Sequence, residues 1–85
     1  MAYHKDKQQA FQAAEQDTIQ AIESYQSVKW DGSQLGKELK HLRQEVQEAY
    51  EQIQNALETA SETQRKQLTK YEEDVYTIMN SIDEG

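Results

Sequence analysis

Residues 35–60 read LGKELKHLRQEVQEAYEQIQNALETA. Within this stretch Leu35, Leu39, Leu42, Val46, Ala49, Ile53, Ala56 and Ala60 follow one another at steps of 4, 3, 4, 3, 4, 3 and 4 residues. A 3/4 alternation averages about 3.5 residues and holds one seam toward a neighbouring helix, as in coiled coils and bundles. From Lys37 to Glu84 there are 48 residues without a glycine or a proline, so nothing in the composition breaks a helix. The stretch is therefore predicted to be an amphipathic helix that needs a partner surface.

The same spacing recurs on both sides. Phe11, Ala14, Thr18, Ala21, Tyr25 and Val28 step by 3, 4, 3, 4 and 3, and Ile19 and Ile22 widen that stripe. Leu68, Tyr71, Val75, Ile78 and Ile82 step by 3, 4, 3 and 4. Thirteen glutamines, accompanied by Ala, Glu and Lys, favour helix because these side chains lose little rotamer freedom there. No alternating β-branched run and no Asn-Gly turn points to a strand. The expected fold class is all-α, in one helical domain over residues 1–85 with frayed ends.

Helix boundaries follow from capping signals. The first helix is predicted over about Asp6 to Lys29. Asp31 or Ser33 caps the second, with Gln34 three residues after Asp31 in a capping-box arrangement. Beyond Ala60 the seam slips in phase, since the middle seam continues to positions 63 and 67 while the apolar residues stand at 68 and 71. Two architectures satisfy this. In the first, Ser61 caps a third helix with Gln64 at the box position, giving an antiparallel bundle of three helices over about 6–29, 33–60 and 62–82. In the second, the slip is a stutter within one long second helix of a hairpin that dimerises. The matched lengths of the three segments favour the bundle.

Composition narrows function. Leu, Ile, Val and Phe make up fourteen of 85 residues, below the ~20% at which disorder becomes an alternative. A monomer this small buries little surface, so pairing with a second copy or a helical protein partner is expected. No cysteine is present to staple the fold. The net charge of −7 argues against direct nucleic-acid or anionic-membrane binding, which needs clustered Lys and Arg. No apolar run approaches a membrane span, and no signal-peptide core follows Met1. Cytoplasmic placement is the default expectation, with leaderless export left open.

Catalytic signals are weak. Gly32-Ser33-Gln34-Leu35-Gly36 lacks the Gly-Lys-Ser/Thr ending of a phosphate loop, and Glu72-Glu73-Asp74 point around a helix. Glu38 and His41 form a Glu-x-x-His pair, a motif that contributes to di-iron sites in bundles, and Glu45 follows on the same face. The stripe lies beside the Leu39/Leu42 seam and reads as seam flank. No catalytic residue, metal or cofactor is expected, and the chain reads as non-enzymatic. The residues expected to carry packing and interaction are Phe11, Ile22, Tyr25, Trp30, Leu35, Leu39, Leu42, Val46, Ile53, Leu68, Tyr71, Val75 and Ile78. Five tyrosines suit bundle rims, because each buries a face and keeps a polar tip wet. Trp30 is expected to plug the open end of the bundle.

Trp30-Asp31-Gly32, placed in the bend between two helices, resembles the WXG-type small helical-hairpin proteins. The resemblance covers the layout of most of the chain. It implies an antiparallel hairpin that dimerises and leaves Gram-positive cells through a type VII secretion system. The Tyr-x-x-x-Asp/Glu export signal of those proteins is not intact here: Val75 lies four residues after Tyr71, and Asn80 four after Tyr76. The chain also resembles, in style alone, short uncharacterised helical proteins of bacilli and their phages. Three functions stand at this point: a self-associating structural or interaction module, a WXG-type exported hairpin, and an acidic decoy for a basic surface of a nucleic-acid enzyme. Segment charges of −2, −2 and −3 over residues 1–32, 33–60 and 61–85 show no concentrated acidic stripe, which favours the first.

Overall fold

A computed structural model of the chain describes residues 7–84. Three helices follow one another: α1 (Lys7–Gln26), α2 (Leu35–Leu57) and α3 (Glu62–Glu84). The bundle is the architecture adopted, and the long second helix of the alternative is interrupted at residues 58–61. Side-chain pairs fix the directions. Arg43 lies beside Asp83, Tyr50 beside Tyr76 and Gln54 beside Glu72, so α2 and α3 are antiparallel. Phe11 and Glu15 meet Tyr71, and Ile22 and Tyr25 meet Ile78 farther along, so α1 and α3 are parallel. The Cα extents are 46 × 29 × 17 Å.

The three seams form one core. Its buried members are Ala10, Ala14 and Ala21 from α1, Leu42, Val46, Ala49, Ile53 and Ala56 from α2, and Leu68, Val75, Ile78 and Ile82 from α3. Thr18 is fully buried on the α1 seam, as the spacing requires, and its hydroxyl has no hydrogen-bond partner among the described residues. Ile19, predicted to widen that stripe, is 47% exposed.

The two corners differ in how they satisfy the helix ends. At Ser61 the predicted capping box is present in both directions. Gln64 N–H donates to Ser61 Oγ at 3.2 Å and Ser61 N–H donates to Gln64 Oε1 at 3.1 Å. The expected box from Asp31 to Gln34 is not formed. Gln34 itself takes the N-cap position of α2 and makes no side-chain cap bond. Backbone turns occupy this corner instead: Gly32 N–H donates to Lys29 O at 2.9 Å and Leu35 N–H to Gly32 O at 3.3 Å. A Cβ on Gly32 would sit 3.1 Å from Lys29 Cβ and 3.2 Å from Lys29 O, so the tight turn favours glycine.

The first helix also ends earlier than predicted, at Gln26 rather than Lys29. Ser27 N–H divides between the carbonyls of Glu23 and Ser24, Ser27 Oγ donates to Ser24 O, and Val28 N–H reaches Tyr25 O in a tightened turn. Local side-chain and short-range bonds of this kind compete with the next helical turn. Asp6, the predicted start, lies outside the described residues. The third helix extends two residues beyond the predicted Ile82, to Glu84.

Candidate interaction surface

The seam residues fall into three groups. Leu42, Val46, Ile53, Leu68, Val75 and Ile78 are buried. Phe11, Ile22, Tyr25, Leu39 and Tyr71 are partly buried and pack against that core, and Leu35 is half-buried at the start of α2. Trp30 departs from expectation. It is 44% exposed and rests edge-on against Tyr25, with ring centroids 6.2 Å apart and planes at 79°. It stands on the turn beyond the end of α1, where it rests on Tyr25 with nearly half of its surface in solvent rather than enclosed as a plug.

The Glu38–His41–Glu45 stripe faces the end of α1. Glu45 is buried, its carboxylate accepts from Ser24 Oγ at 2.9 Å, and His41 Nε2 lies 2.7 Å from Glu45 Oε1. Glu38 Oε2 accepts from the backbone N–H of Lys29 at 3.2 Å. Glu45 thus ties α2 to the last turn of α1, and Glu38 ties it to the chain leaving α1. The order Ser24–Glu45–His41 places the carboxylate between hydroxyl and imidazole, so the imidazole is not positioned to take the serine proton as a nucleophile–base pair requires. Among the described residues no group of three or more His, Cys, Asp or Glu is arranged to hold a metal ion.

The α2–α3 side is different. Here an open groove of about 360 Å³ is lined by Arg43, Val46, Gln47, Tyr50, Met79, Ile82 and Asp83. Val46 and Ile82 form its floor, and Tyr50 and Met79 are half-buried on its walls. Arg43 and Asp83 stand at one end, 3.8 Å apart and mostly exposed. Tyr76, 45% exposed, packs its ring 5.8 Å from that of Tyr50. The sequence spacing gave Val46 and Ile82 as seam positions. Met79, one residue after the seam position Ile78, and Tyr50, one after Ala49, carried no periodic signal for the groove. A residue beside the seam lines a valley only where the two backbones stand apart.

No protein-family model, curated protein or solved structure matches the chain. Among the described residues no helix is long and apolar enough to cross a membrane.

Proposed function

We propose that the chain is a small non-enzymatic helical interaction module that self-associates. The observation that carries this reading is the open apolar groove between α2 and α3 in a bundle whose core is thin. Among the described residues five of the twelve buried apolar side chains are alanines, so a closed monomer gains little from burial, while Tyr50, Met79 and Tyr76 leave apolar area in solvent.

Multi-angle light scattering and thermal unfolding across a wide concentration range test the reading. A mass rising toward twice 9.9 kDa, with an unfolding midpoint that climbs with concentration, is the expected result. A mass of one chain and a constant midpoint at every concentration would falsify it.

A further inference from the structure

Charge along α2 is divided in a way that segment totals conceal. Lys37, Lys40 and Arg43 are exposed on its first half, and Glu48, Glu51 and Glu58 are exposed on its second half and C-cap. Apart from half-buried Glu38 in the first turn, this exposed polarity runs against the helix's own dipole, whose positive N-terminal end favours acids and whose negative C-terminal end favours bases. The last turn of α2 contains no basic residue. Antiparallel packing on α3 uses little of the pattern: among the described residues the ion pair between these helices is Arg43 with Asp83, at 3.8 Å and largely in solvent. A pair of this kind contributes little, which leaves Arg43 free to turn elsewhere.

An antiparallel copy of the same helix pairs the centre of this pattern, Arg43 with Glu51, twice over and brings no like charges together. Lys40, Arg43, Gln47, Glu51 and Gln54 fall on one outer face of α2 at helical spacing, beside the groove lined by Val46, Tyr50, Met79 and Ile82. With a two-fold axis over Gln47, Arg43 stands level with the partner's Glu51, and Glu51 with the partner's Arg43. Lys40 stands level with the partner's Gln54, whose amide binds Glu72. No like charges on α2 come level in this alignment. A foreign acidic or basic helix would match only half of the face, and elsewhere a second copy of a chain of charge −7 is repelled.

We propose that the groove is the interface of a two-fold symmetric dimer, in which α2 of one copy lies antiparallel to α2 of the other, with Arg43 facing the partner's Glu51. The proposal rests on the self-association reading and adds its surface, direction and partner residues. Charge complementarity of this kind fixes register and partner choice.

Charge reversal tests it. Arg43→Glu and Glu51→Arg each place two like-charge contacts across the axis and are expected to weaken the dimer about tenfold or more, whereas the double variant restores both pairs and recovers dimerisation. Lys70→Glu, a reversal of the same kind at an exposed position of α3 outside the groove, leaves the dimer intact, and circular-dichroism melts confirm that every variant folds. The chain contains no cysteine, so Gln47→Cys introduces one thiol per copy near the axis, and it is expected to form a covalent dimer on mild oxidation. Gln20→Cys, on the outer side of α1, is not. A dimer that ignores the single reversals, fails to recover in the double variant, or cross-links through Gln20→Cys instead of Gln47→Cys overturns this interface and leaves self-association standing. A wild-type chain that stays monomeric at all concentrations overturns both.

Discussion

The seams that α1 and α3 bring to α2 bury it by opposite means. The buried residues of α1 are Ala10, Ala14, Thr18 and Ala21, and those of α3 are Leu68, Val75, Ile78 and Ile82. Small side chains let two backbones approach closely, and α1 does lie against α2 more intimately than α3 does. Large aliphatic side chains hold the backbones of α2 and α3 apart, fill the middle of the bundle and leave a valley on its outer side. The groove is thus a consequence of side-chain volume on α3, and the polar ties of Ser24, Glu38 and Glu45 gather on the close side.

The largest expected effects fall on this contrast. Leu68, fully buried, supplies volume that nothing else can supply, so Leu68→Ala is expected to cost about 2–5 kcal/mol, measured by denaturant unfolding. At about 4–8 °C per kcal/mol for a domain of this size, the unfolding midpoint is expected to fall by at least about 8 °C. A cost below about 1 kcal/mol would show that the α3 side collapses around the gap and is not limited by volume. The converse change, Ala14→Leu, forces a large side chain between α1 and α2 and is expected to cost about 1–3 kcal/mol. Tolerance of that substitution would break the comparison, because it would mean that the α1 seam has room to spare.

The corners offer a finer version of the same test. At α2–α3 the Ser61 and Gln64 side chains satisfy each other's backbone N–H groups, whereas at α1–α2 backbone turns do that work. Ser61→Ala is expected to destabilise by about 0.5–2 kcal/mol. Asp31→Ala and Ser33→Ala, at exposed positions that make no cap bond, stay within about 0.5 kcal/mol of the parent. Equal losses at the two corners would remove the distinction.

These differences also explain what was legible in the sequence. The 3/4 spacing located most of the buried residues on all three helices, Ala10 and Glu45 excepted, while the phase slip after Ala60 was compatible with a corner or a stutter, and the matched segment lengths favoured the corner that forms. Asp31 and Gln34 offered the same signature as Ser61 and Gln64. The corner closes instead through backbone turns that use the N–H groups of Gly32 and Leu35, and a motif does not show which way a turn will close. Trp30 is less enclosed than expected, since α1 ends at Gln26 and leaves it on the turn against Tyr25. The groove was hidden because it depends on the distance between α2 and α3, which the spacing along a single helix does not encode.

The smallest expected effect concerns the polar link between α1 and α3. Tyr71 hydroxyl donates to Glu15 Oε2 at 2.6 Å, and the ring of Phe11 lies 6.2 Å from that of Tyr71. Burial, and then the hydrogen bond to Glu15, push the Tyr71 pKa above its ordinary value of 10.0, because an ionised phenol would lose its donor and face a carboxylate. Below about pH 10 both folded and unfolded chains keep the proton and this link is fully present. Above it the unfolded chain releases the proton first, so stability falls as pH rises through the folded pKa. Tyr71→Phe is expected to lose the hydrogen bond at neutral pH and to show a shallower alkaline decline than the parent. The slope that remains belongs in part to Tyr76, whose pKa is raised first by its bond to Tyr50. Urea unfolding at a series of pH values from about 8 to 11 reads the difference between the two proteins, which cancels the lysines common to both. Parallel curves would mean that the Tyr71 proton has no part in holding α1 on α3, and that α1 is kept in place by its close seam on α2 alone.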